Sequence, residues 1–234
     1  MTADSRPYLE HRLIRRVDHR RASRSFGVVL ALIAVSFVFG ATASDAAWAT
    51  GVLVVLQGLT LIAAIWTSGL ARAGWWLRFG LAMLAIAVAL AVVASALGGS
   101  DLTGAVGLIS ALFVVCVVIV IVRSIAWSPE VNAQTILGAI CVYVSIGMIF
   151  LFAYGAVAEI GSSSFFAQTG DGTRALRLYF SYVTLATLGY GDYTPATNLG
   201  HMLAVVEALL GQIYLVTVVA VLVARLRVRP REAP

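Results

Sequence analysis

The stretch Thr187-Leu188-Gly189-Tyr190-Gly191-Asp192 holds residue types whose spacing could do chemistry. Gly189 and Gly191, two residues apart, tolerate the positive φ that other residues avoid. A strand whose dihedrals alternate between hands can turn all of its carbonyls to one side. The carbonyls of Thr187, Leu188, Gly189 and Tyr190, with the Thr187 hydroxyl, would then stack as oxygens able to replace a cation's hydration shell. The side chains of Leu188 and Tyr190 would face the other way, into a supporting shell. Such chemistry needs no catalytic group, and the sequence offers no clustered Ser/His/Asp, Cys/His or acidic metal constellation, so an enzyme is disfavoured.

The elements that must position this stretch are read from hydropathy. The 234 residues are 61% hydrophobic and 12% charged, with mean hydropathy +0.96, too little charge to cover a soluble surface of this size. Apolar stretches able to span about 30 Å of hydrocarbon are expected near Phe26–Ser44, Ala47–Ser68, Trp76–Leu97, Leu102–Val122, Thr135–Ala158 and Leu199–Ala224. Helices are the reading for all six, because a lipid-exposed backbone must satisfy its own hydrogen bonds. Arg174–Ala186 reads as a short helix that cannot cross, preceded by a polar, Gly/Ser-rich turret at Ile160–Gly172. The fold class expected is therefore all-α membrane protein: six transmembrane helices, with a re-entrant helix between the last two. Cys116 and Cys141 fall inside spans and read as small packing residues, not a disulfide.

All 16 basic residues are Arg. They fall in the N-terminal tail (Arg6, Arg12, Arg15, Arg16, Arg20, Arg21, Arg24), two inner loops (Arg72, Arg78; Arg123) and the C-terminal tail (Arg225, Arg227, Arg229, Arg231). With both termini cytoplasmic, only Arg174 and Arg177 lie outside, as the positive-inside rule requires. That places Thr187–Asp192 on the outer side of a plasma (inner) membrane. The first span reads as retained and not as a cleaved signal. Leu9, Leu13 and Val17 suit either an amphipathic helix on anionic lipid or a disordered tail that enforces topology. Five segments result: a basic cytoplasmic tail 1–25, a four-helix bundle 26–123, a cytoplasmic linker 124–134, a pore-like domain 135–225 and a short cytoplasmic tail 226–234.

Thr187–Gly191 resembles the T-V-G-Y-G selectivity filter of potassium channels, with Leu188 in place of the usual Val. The six-span order with the pore last resembles the voltage-gated members of that superfamily, and Arg without Lys hints at a bacterial relative. The resemblance implies a passive potassium channel in which K+ is held through Thr187, Leu188, Gly189 and Tyr190. A single copy of the motif, giving one oxygen per ring, implies a homotetramer. It further implies filter support from Tyr179, Phe180, Val183, Thr184 and Asp192. Gly211 would be a hinge, and Gln212, Leu215, Val219 and Val223 a cavity and gate stripe. No cofactor is implied beyond the permeant ion. The partners are K+, the bilayer, anionic lipids at the Arg-rich tails and three further copies, with no nucleic acid.

Two features refine that expectation. Leu102–Val122 has no charge, so steep voltage gating is not expected, since each charge moved is worth about 2.3 kcal/mol per 100 mV. Glu207, an acid well inside a span, lies about 140° from the Gln212 stripe at ~100° per residue. It should therefore face the short helix or the fifth span, hydrogen-bonded to Ser181, Thr184 or backbone. His201 is placed where a pH-sensing residue could sit, although an interfacial role is the plainer reading. Two other functions fit the sequence: a less selective monovalent cation channel, and a non-conducting membrane sensor or interaction subunit.

Overall fold

A computed structural model describes residues 26–68, 75–97, 100–126, 132–161 and 163–227. The tail at 1–25, residues 127–131 of the expected linker and the tail beyond 227 lie outside the described residues. Among the described residues, seven helices follow one another: α1 Phe26–Thr42, α2 Ala47–Thr67, α3 Trp75–Leu97, α4 Ser100–Ala126, α5 Ala133–Ile160, α6 Arg174–Leu185 and α7 Asn198–Arg227. Among the described residues, α2, α3, α4, α5 and α7 are long and apolar enough to cross a membrane. Helix α1 is equally apolar but has 17 residues, about 26 Å at 1.5 Å per residue.

Within the segment 124–134 expected as a linker, α4 continues to Ala126 and α5 begins at Ala133. Local hydrogen bonding sets the second boundary. The Asn132 side chain accepts from the Thr135 amide at 3.1 Å while the Thr135 hydroxyl accepts from the Asn132 amide, a reciprocal cap that satisfies orphan donors at the start of α5.

Helices α4 and α5 form the most extensive pair, running antiparallel with glycines at the seam. A Cβ at Gly107 would already touch the Phe152 carbonyl, and one at Gly138 would press on Ile125. Close backbone approach of this kind is how membrane helices gain packing without a hydrophobic driving force. Helix α1 lies alongside α5 in the same direction. Its first amide donates to Gln134 Oε1 at 2.8 Å, and Phe37 near its other end meets the Tyr182 ring edge-on at 5.0 Å. Among the described helices, α7 packs on α5 and α6, and much of its apolar surface is uncovered in a single chain.

Candidate functional site

The site is built on α6, whose two ends are fixed by different chemistry. At its start, Thr173 accepts from the Leu176 amide at 3.2 Å, the ordinary side-chain cap. A second acceptor arrives from the turn between α1 and α2: Asp45 Oδ1 takes the Arg174 amide at 3.0 Å. A carboxylate at a helix N-terminus is favoured by the partial positive charge of the unpaired amides. The guanidinium of Arg174, a residue 8% exposed, runs back to this corner, donating to the Thr50 hydroxyl in the first turn of α2 at 2.8 Å and to the Ser44 carbonyl at 3.3 Å. Burial pulls the Arg174 pKa down, and the Asp45 charge opposes that shift. Arg177 caps the preceding loop, donating to the carbonyls of Asp171 and Gly172.

At its other end, α6 closes in a Schellman motif. The Thr187 amide donates to the Thr184 carbonyl and the Leu188 amide to the Val183 carbonyl, each at 2.9 Å. The motif needs a left-handed residue at Thr187, where φ is +56°. Glycine usually fills this position, and a β-branched residue there costs about 1–2 kcal/mol. Left-handed φ then recurs at Gly189 (+58°) and Gly191 (+75°), but not at Leu188 or Tyr190. Every second residue from 187 to 191 is thus of opposite hand to its neighbours. The sequence marked Gly189 and Gly191 for this conformation but not Thr187. The helix-end carbonyls are also not all free, since two of them bind amides of the 187–188 segment.

The flanks of this segment are braced. The Tyr179 hydroxyl donates to Asp192 Oδ2 at 2.8 Å, and that bond pushes the phenol up to about 12. Tyr193 meets the Tyr179 ring edge-on at 6.3 Å. Phe180, expected beside Tyr179, points elsewhere. It joins Tyr154, Phe165 and Phe166 in a buried aromatic cluster, with centroids 5.3 Å from Tyr154 and 5.4 Å from Phe166. Val183 is buried and Thr184 half-buried, and both contribute through their carbonyls.

The turret at 160–172 is less polar in function than its composition implied. Phe165 and Phe166 anchor it in the aromatic cluster, and its backbone pairs with the chain after the filter-like segment. The Ala167 amide donates to the Thr194 carbonyl at 3.0 Å, the Ala196 amide to the Phe165 carbonyl at 2.8 Å, and Gln168 exchanges two bonds with Thr194.

Helix α7 meets α6 in two rungs one turn apart. Glu207 contacts Ser181, and Gly211 sits against Leu185 so closely that a Cβ there would strike the Leu185 carbonyl oxygen. Gly211, expected as a hinge, is a close-packing point in this fold. Gln212 and Leu215 are exposed in the single chain, and the side chains of Val219 and Val223 lie outside the described residues. Glu207 is completely buried, and its second partner is Tyr154 on the fifth span, one of the two elements it was expected to face.

Residues 134–228 match an ion channel family model. The matched region runs from α5 through α6 and the 187–191 segment into α7. It supports an ion channel and a non-enzymatic role, within a multi-pass membrane protein. No solved structure matches the chain.

Proposed function

We propose that this chain is a passive, potassium-selective channel in which four copies surround one axis and Thr187–Gly191 forms the filter. The observation that carries this reading is the alternation of left-handed φ at Thr187, Gly189 and Gly191. With neighbouring residues of opposite hand, successive carbonyls turn to one side, and four such strands make rings of oxygen that replace a potassium ion's water. The ion sites are formed by Thr187, Leu188, Gly189 and Tyr190. Leu188 and Tyr190, 57% and 66% exposed in one copy, are the side chains that neighbours would cover. The uncovered apolar surface of α7, with Met202, Val205, Leu209, Ile213 and Val216 all exposed, favours the same assembly. Helix α6 directs its negative end toward the ion path.

In this reading residues 135–225 are the pore, and 26–123 form a bundle with no charge ladder in α4. The response to voltage is therefore shallow. Both termini are cytoplasmic in an inner membrane. The Arg-rich tails meet anionic lipid.

The test is potassium flux from liposomes holding a K+ gradient, with sodium substitution and barium block. Potassium-selective, barium-sensitive flux is expected, and Gly189→Asp or Tyr190→Ala should abolish the discrimination. Flux that survives both changes unaltered would sink the assignment.

A further inference from the structure

The buried contact between α5, α6 and α7 has a hydrogen count that assigns a proton. Three oxygen–oxygen contacts meet there: Tyr154 hydroxyl to Glu207 Oε2 at 2.5 Å, Ser181 Oγ to Glu207 Oε1 at 2.5 Å, and Ser181 Oγ to the Gly147 carbonyl at 2.8 Å. Each needs one hydrogen between its oxygens. Tyr154 brings one and Ser181 brings one, while the Gly147 carbonyl and a carboxylate bring none. An ionised Glu207 would leave one pair of lone-pair-bearing oxygens facing each other without a hydrogen. A carboxylic acid closes the count: Tyr154 donates to Oε2, Glu207 donates from Oε1 to Ser181, and Ser181 donates on to Gly147.

The surroundings agree. Glu207, Ser181 and Tyr154 are each 0% exposed. The titratable groups facing Glu207 are Tyr143 and Tyr154 from α5 and Tyr182 from α6. Tyr143 stacks on Tyr214, and Tyr182 donates to the Val144 carbonyl. The cations of α6, Arg174 and Arg177, are engaged at the far end of that helix. A carboxylate without a cationic partner is very costly to bury.

We infer that Glu207 is an un-ionised carboxylic acid whose proton binds α7 to Ser181, making it a positioning residue for the 187–191 segment. Ser181 is one turn before Leu185, and the carbonyls of Val183 and Thr184 between them hold the Leu188 and Thr187 amides. A shift of α6 at Ser181 therefore moves the first two carbonyl-bearing residues with it.

Infrared spectroscopy of the full-length protein in lipid at neutral pH tests the proton without requiring conduction. The carbonyl stretch of a protonated carboxylic acid should be present in the wild type and missing in Glu207→Gln. A wild-type-minus-variant spectrum with only a carboxylate band would overturn the inference. The flux arm rests on the channel reading. In Glu207→Gln the amide can donate to Ser181 and accept from Tyr154, so potassium over sodium discrimination should stay within about twofold of wild type. Glu207→Leu breaks both contacts, and discrimination should fall about tenfold or more, the scale of one unmade buried hydrogen bond. If the Gln variant is as impaired as the Leu variant, or the Leu variant is unimpaired, the positioning role is wrong. Should the Leu variant fail to fold, the Gln variant and the infrared band decide. A wild type that shows the band but passes no potassium keeps the proton assignment and removes the proposed function.

Discussion

Gly211→Ala separates two roles for one residue. A hinge glycine replaced by alanine stiffens and stabilises its helix, by about 1 kcal/mol from intrinsic propensity. Gly211, however, is packed on Leu185. An added Cβ would strike the Leu185 carbonyl oxygen, with Leu185 Cδ1 at 2.8 Å and the carbonyl carbon at 3.3 Å. The methyl could be displaced by a rotamer change. The carbonyl cannot, because Leu185 is the last residue of α6 and the next turn is tied down by the Thr187 and Leu188 amides. Overpacking of this kind costs about 1–3 kcal/mol, and a backbone clash belongs at the upper end. Subtracting the propensity gain leaves roughly 2 kcal/mol of net destabilisation. For a chain of this size that lowers the unfolding midpoint by about 4–8 °C. Thermal unfolding of the detergent-solubilised protein, with potassium and sodium reversal potentials in parallel, is the assay. The midpoint should fall and discrimination should weaken together. A raised midpoint with unchanged discrimination would refute the packing argument and restore the hinge.

Two further outcomes follow from the ends of α6 and its flank. Asp45→Ala removes both the acceptor and the charge at the α6 N-terminus and should lower stability by about 1–2 kcal/mol. Asp45→Asn keeps an acceptor and should recover most of the loss, so equal midpoints for the two variants would show that Asp45 does not cap α6. Tyr179 gives a pH test with a definite sign. Its phenol is raised by the bond to Asp192, so the bond's contribution is complete below the ordinary tyrosine value of about 10 and is lost as pH climbs through about 12. The phenolate absorbance missing from Tyr179→Phe should titrate near the upper value in wild type, and Asp192→Asn should bring it down. A wild-type midpoint at the ordinary value would argue that the bond is absent.

Much of the fold was legible because hydropathy writes membrane helices directly into sequence. Phe26–Ser44 differs from α1 by two residues, and Arg174–Ala186 from α6 by one. The left-handed backbone of Gly189 and Gly191 was legible from residue type. That of Thr187 was not, since a β-branched residue argues against it and only the Schellman closure imposes it. Helical angle alone turned Glu207 toward α6. Its second partner, Tyr154, is 53 residues away, a separation at which no periodicity carries information. Phe180 turns to a different set of neighbours from Tyr179 because adjacent residues on a helix point ~100° apart. Phe165 and Phe166 went unnoticed in a loop whose average composition is polar.

The Asp45–Arg174 contact bridges 129 residues, and it bears on how portable the α5–α7 part of this molecule is. A fragment cut at Ala133 would keep every residue from α5 to α7, yet its short helix would start without the acid that receives its first amide. It would also lose Phe37 against Tyr182 and the Phe26 bond to Gln134. Grafting this cassette onto another scaffold therefore requires the recipient to offer an acceptor at the same corner. The first two helices are in that sense the missing rim of the cassette, not an accessory placed beside it.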